Sequence, residues 1–220
     1  MIDIEAWAKE FAQKLQAVFG ERLRFLGYQG SYGRGEATES SDIDIVTVLD
    51  RLSADDLLRY RELARAMPQG GLCCGFICGE EQLRAWPRYD LLGLVLDTKP
   101  VVGDLAGLAP AFTPEDHRQA LAIGCSGLYH AACHSYLYGD PREDLAELSK
   151  AAFFCLRFFA LCRDGVWHPS KRSLAPVLAG EERELLELSL HPERIPGLTR
   201  EQVHRAYSLL IHWAGNQLGS

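Results

Sequence analysis

The chain has no apolar run long enough to span a bilayer, no Lys/Arg cluster, no low-complexity segment and no internal repeat. Each absence removes a class of protein. Without about 20 consecutive apolar residues there is no membrane-spanning helix. Without a basic face there is little to hold a phosphodiester backbone, so nucleic acid is not an expected partner. Acidic residues outnumber basic ones, 30 to 23, for a net charge of −7. That balance tilts weakly toward a small cationic ligand. Seven cysteines are an odd number, scattered, and mostly set in apolar segments such as residues 152–162. Such usage fits buried thiols in a reducing compartment better than a disulfide framework. Cys73, Cys74 and Cys78 lie close together, yet no second His/Cys cluster completes a zinc site. The opening residues are acidic and amphipathic, unlike a secretory leader, and a cytoplasmic location is expected.

What the chain does have is concentrated in residues 30–45, G-S-Y-G-R-G-E-A-T-E-S-S-D-I-D-I. Gly30, Gly33 and Gly35 let the backbone approach a phosphate with no side chain in the way. Ser31 opens a predicted helical turn, where free N–H groups and a hydroxyl can hold an anion. Ten residues intervene before Asp42, and Asp44 follows two later on an apolar run. Two carboxylates two apart on a strand project from one face and can share Mg²⁺. A Gly-Ser pair alone is common in loops, and Asp-x-Asp alone is usually a solvated turn. The combination, between two predicted strands, points to handling of a nucleoside triphosphate.

On these residues the sequence resembles the DNA polymerase β-like nucleotidyltransferase superfamily, whose motif is Gly-Ser, about ten residues, then Asp-x-Asp. The loop is similar to that of its small bacterial members, the aminoglycoside adenylyltransferases of the streptomycin/spectinomycin type. The resemblance implies that Gly30 and Ser31 cradle the β- and γ-phosphates while Asp42 and Asp44 bind Mg²⁺ and are the catalytic pair. It also implies transfer of AMP from Mg-ATP to a hydroxyl of a small molecule. An aminoglycoside is the first acceptor to consider and a protein hydroxyl the next.

Periodicity places an amphipathic helix at 4–19, a strand at 22–28, a buried strand at 43–49 and a Ser53-capped helix to about 66. A third strand at 72–78, short helices near 80–86 and 91–95, and a small edge strand at 99–102 complete this half. Residues 103–114, with their Gly and Pro, read as a linker. Beyond it only helices are expected, at about 114–138, 143–163, 173–178, 181–190 and 200–218. The fold class is α+β: a small mixed sheet with flanking helices over 1–108, then an all-α bundle over 109–220.

The bundle carries a second resemblance. Cys155-Leu156-Arg157, a Gly turn at Gly165 and Ser170-Lys171 are similar to steps in the C-terminal half of the same adenylyltransferases. There the arginine and lysine hold the triphosphate, which suits a forked guanidinium and a mobile ammonium. On that basis Arg157 and Lys171 are nucleotide-binding candidates. The plainer reading is a snorkelling Arg157 and a surface Lys171 beside a cap. Arg163 and His168 match a loose R-x4-H pattern of some helical ribonucleases, but Pro169 makes His168 a loop residue. His130 and His134, four apart, lack the carboxylate that a metal motif needs.

One expected part is missing. Polymerase β-like enzymes usually place a third acid on the strand after the second helix, where it completes the metal site or acts as base. Here that strand reads Leu72-Cys73-Cys74-Gly75-Phe76-Ile77-Cys78. Glu80, Glu81, Asp90 and Asp97 lie nearby in sequence, and Glu143, Asp144 or Glu147 are conceivable donors from the bundle. A catalytically weakened nucleotide-binding or protein-interaction module is therefore the alternative, with an antitoxin-like protein adenylyltransferase behind it. The oligomeric state is left open, a homodimer included.

Overall fold

A computed structural model describes residues 2–219. The chain divides into two compact units, Met1–Phe112 and Thr113–Ser220. The boundary expected after residue 108 lies beyond Phe112, because Leu105, Leu108 and Phe112 all pack into a core of the first unit.

In the first unit, α1 (Ile4–Phe19) starts at Asp3, whose carboxylate accepts from two free backbone N–H groups, and buries Trp7, Phe11, Leu15 and Phe19. Then come β1 (Leu23–Tyr28), the one-turn α2 (Gly30–Arg34), β2 (Ile43–Leu49), α3 (Ala54–Arg65) and β3 (Cys73–Gly79). They are followed by α4 (Glu80–Ala85), α5 (Arg88–Asp97), β4 (Lys99–Val102) and α6 (Leu105–Leu108). The last of these lies in the stretch expected to be a bare linker. Asp104 caps it, and Leu105 and Leu108 anchor it to the core.

The four strands run in the order β3-β2-β1-β4. β1 is antiparallel to β2 and β4, while β2 and β3 are parallel, joined by the crossover through α3. Both faces of the sheet are covered. Ile43, Ile45 and Leu49 pack with Phe11 and Leu15 of α1. Val46 and Val48 pack on the opposite side with Leu83 and Leu91. Strand alternation therefore sends Asp44, and Asp42 before it, to the Val46–Val48 side.

Arg22 closes the foot of this unit. Its guanidinium forks onto Asp56, at 2.9 Å to each oxygen, and its Nε reaches Asp50 at 3.0 Å. Asp56 also completes a capping box with Ser53 at the start of α3.

The second unit is helical: α7 (Pro114–Tyr138), α8 (Pro141–Asp164), α9 (Lys171–Leu174), α10 (Gly180–Leu190) and α11 (Arg200–Asn216). Thr113 with Asp116 and Asp140 with Pro141 start the two long helices. Gly165, in the left-handed region at φ 70°, ends α8. Leu128, Phe153, Leu156, Leu186, Tyr207 and Trp213 meet in one core. The helix expected at 173–178 begins earlier, where Ser170 caps it, and tightens to a 3₁₀ turn at Ala175–Val177 around Pro176. No described helix is long and apolar enough to cross a membrane.

Candidate functional site

Gly30 stands between the end of β1 and the first turn of α2, with φ +65°. That backbone region costs any other residue energy. The neighbouring space is closed as well: a Cβ at this position would lie 1.9 Å from Oδ2 of Asp44. Only a glycine lets the loop lie against the carboxylate. Ser31 and Tyr32 follow in α2, which ends where the N–H of Glu36 bonds the Ser31 carbonyl at 2.8 Å. The helix-opening residue Gln29 makes no side-chain cap, and its N–H bonds the Asp44 carbonyl at 2.9 Å. The Gly-Ser loop is thus tied to β2 at the residue that carries the second aspartate.

The other side of Asp44 meets β3. Asp44 and Cys74 are paired in the parallel register, and the Cys74 thiol donates to Oδ1 of Asp44 at 3.3 Å. Desolvation, then the adjacent Asp44 carboxylate and its hydrogen bond, push that thiol up to about 12; Asp42 contributes in the same direction. Both aspartates therefore bear on one sulfur, which remains a protonated donor at neutral pH. Cys73, on the opposite face, is pushed up to about 11, chiefly by burial.

The missing acid is now located. The strand position facing Asp44 is Cys74, and its side chain is a thiol. Of the acids near in sequence, Glu80 pairs with Arg84 at 2.7 Å and Arg24 at 3.5 Å, and Asp90 accepts from Trp86 at 2.6 Å. In the helical unit, Asp144 accepts from Ser135 at 2.7 Å. Among the described residues no group of three His, Cys, Asp or Glu side chains is placed to hold a metal ion. Two carboxylates do fit Mg²⁺, which keeps several waters and takes its remaining oxygens from substrate phosphates. Gly30 fits it too, since without a Cβ the phosphate loop can lie against Oδ2 of Asp44.

Arg157 and Lys171 are brought together in the second unit, over the Phe153 ring at 5.2 and 5.7 Å. Arg157 is only 2% exposed. Its guanidinium stacks 4.5 Å from the centre of Trp167 and 4.9 Å from that of Phe154, and it donates to the Pro169 carbonyl at 3.2 Å. Lys171 is half-buried and donates to the Ser189 carbonyl. Arg157 is thus no snorkelling surface residue. It fastens the 166–170 turn that carries Ser170 and Lys171.

The remaining motifs resolve simply. Arg163 pairs with Asp164 at 2.5 Å and bonds the Val177 carbonyl, while His168 lies in the turn after α8. His130 and His134 have ring centres 6.1 Å apart, and His134 meets Tyr138 edge-on.

Sequence reading missed a cavity of about 400 Å³ between α3 and β3. Arg61, Arg65 and Tyr60 of α3 line it opposite Cys73, Cys74 and Gly75. The i, i+4 spacing of the two arginines marks one helix face, but nothing local shows that this face borders the sheet edge.

Residues 9–85 match the family model described as a nucleotidyltransferase domain. Among solved structures, the chain is similar to spectinomycin adenyltransferase AAD(9) from Enterococcus faecialis, determined with ATP and spectinomycin. The identity is 17%, the TM-score 0.57, and the match covers 96% of this chain and 99% of that one. No curated protein matches the sequence. Residues 9–85 are thus similar to a nucleotidyltransferase domain, in a fold similar along nearly its whole length to that of a spectinomycin adenyltransferase.

Proposed function

We propose that this protein transfers AMP from Mg-ATP to a hydroxyl acceptor. The observation that carries the reading is Asp44 wedged between Gly30 and Cys74, with Asp42 two residues before it. Gly30 and Ser31 hold the β- and γ-phosphates, where backbone can approach closely and the Ser31 hydroxyl can donate. Asp42 and Asp44 hold Mg²⁺, which when bound neutralises charge on the reacting phosphates. The acceptor oxygen bonds to the α-phosphorus, the bond to the bridging β-phosphate oxygen breaks, and pyrophosphate leaves with that electron pair. The hydroxyl proton passes to solvent water. With a thiol at the strand position paired with Asp44, the protein contributes mainly positioning and charge placement.

Lys171 is assigned to the triphosphate charge, and Arg157 to holding the Lys171 turn in place. The solved relative was determined with spectinomycin, so an aminoglycoside-type hydroxyl is the first small-molecule acceptor to assay. A second reading, a binding module with little turnover, is supported by the thiol in place of the third acid.

The test is pyrophosphate release from Mg-ATP with an acceptor panel, alongside calorimetry of Mg-ATP binding. Asp42→Asn and Asp44→Asn should each lower release by about a hundredfold or more while the far-UV spectrum is unchanged. Full activity in either variant sinks the metal assignment. Tight Mg-ATP binding with no release across the panel favours the module.

A further inference from the structure

The two edges of the sheet are built differently. β4, at one edge, carries Lys99 and Pro100, two of the residues that discourage pairing with another chain. β3, at the other, reads Cys-Cys-Gly-Phe-Ile-Cys-Gly, without a charge or a proline. Cys74 and Gly75 are exposed in its first half. The cavity of about 400 Å³ runs along this edge on the α3 side, and its lining includes Arg61 and Arg65 but no acid. Among the described residues no salt bridge joins either arginine to a carboxylate. Cys74 belongs to both regions: it borders the cavity and its thiol touches Asp44.

We propose that the β3 edge receives an extended, acidic polypeptide segment as an added strand, and that a hydroxyl side chain of this segment is the acceptor. The second half rests on the transferase reading above. An added strand satisfies the free backbone groups of β3 and sends alternate side chains to the two faces of the sheet. On one face lies Asp44, beside Cys74; on the other lie Arg61 and Arg65. A Ser, Thr or Tyr on the first face thus comes with Asp or Glu on the second. Sheet order supports the direction of approach. Gly30 lies against one oxygen of Asp44 and Cys74 against the other, so phosphate loop and β3 edge flank the carboxylate. In-line displacement needs the attacking hydroxyl opposite the departing pyrophosphate. The new bond joins the side-chain oxygen to the α-phosphorus, pyrophosphate departs with the electron pair of the broken bond, and the proton goes to solvent. A second copy of this chain is a poorer occupant, because pairing two β3 edges sets four arginines along one seam.

The probes are three synthetic peptides bearing a fluorophore. One alternates Glu and Val around a central Tyr. The second has Lys for Glu, and the third is the acidic peptide with alternate backbone amides methylated. Anisotropy with the full chain should show the acidic peptide binding at least tenfold more tightly than either control. Arg61→Glu with Arg65→Glu should reverse the preference, with thermal melts confirming folding. Label from Mg-ATP carrying ³²P at the α-position should move to the acidic peptide. Equal binding of the methylated peptide, or a preference unchanged in the double variant, overturns the docking. Peptide binding without label, in protein shown by calorimetry to hold Mg-ATP, overturns the acceptor role. Failure to bind Mg-ATP at all sinks the transferase reading, and anisotropy still decides the docking.

Discussion

Cys74 donates its thiol hydrogen to Oδ1 of Asp44 at 3.3 Å, from the position directly paired with it on the neighbouring parallel strand. A carboxylate at that position would share a metal with Asp44 or take a proton from the acceptor. A protonated thiol does neither. The contact ties a sequence anomaly, a third strand without an acid, to one atom in the site.

Restoring the acid should therefore restore chemistry. Cys74→Glu is expected to raise the initial rate of pyrophosphate release by about tenfold or more, the low end for a positioned base or further metal ligand. Three carboxylates close together repel one another, so the variant should melt lower without metal and recover with Mg²⁺. A rate equal to wild type at saturating Mg-ATP argues that the proton leaves by another path.

Gly30→Ala tests the close approach of the phosphate loop. The methyl group would meet Oδ2 of Asp44 at 1.9 Å, in a backbone conformation of φ +65°. Stability should fall by about 1–2 kcal/mol in urea unfolding. Mg-ATP affinity measured by calorimetry should fall with it, because the loop has to move off the carboxylate it lies against.

Acid should loosen the first unit through Asp56. The Arg22 guanidinium, assisted by Ser53, holds this carboxylate well below its usual range. A carboxylate whose folded value is depressed contributes stability above its unfolded value, about 4, and loses it as the pH falls toward the folded value. Melting temperatures recorded from pH 6 down to pH 3 should drop below about pH 4. Asp56→Asn should start lower and show a shallower fall. An unchanged slope would assign the acid sensitivity to other groups.

Arg157 and Lys171 should separate into a structural and a functional residue. Arg157→Ala removes a buried cation from between aromatic rings and frees the Pro169 turn, and should cost about 2–4 kcal/mol. Lys171→Ala should leave the melting temperature within a few degrees of wild type and raise KM for Mg-ATP about tenfold. If both changes alter stability alone, neither residue serves the nucleotide.

Much of this was legible along the chain because the signals are local. The periodicity of α1, the Ser53 cap, the Pro114 start of α7, the Gly165 stop and the apolar run of β2 depend on residues within a few positions of each other. The Gly-Ser to Asp-x-Asp spacing belongs to the same kind of signal, since the loop and both carboxylates sit on one short excursion between adjacent strands. α6 was not legible because its anchors, Leu105 and Leu108, matter only once a core is there to receive them.

Three results needed the tertiary structure. That Cys74, among the residues of its strand, faces Asp44 follows from the register of two strands whose facing residues are 30 positions apart. That Arg157 is buried follows from Trp167, beyond the end of α8, stacking on it beside Phe154 of its own helix. That Arg61 and Arg65 overlook a bare sheet edge follows from the strand order, which leaves β3 outermost. The sequence by itself determined the elements, their caps and the phosphate-and-metal stretch, because those rest on backbone preference and short-range spacing. The fold alone decided which side chain completes each site, because that depends on distance through space between segments far apart in the chain.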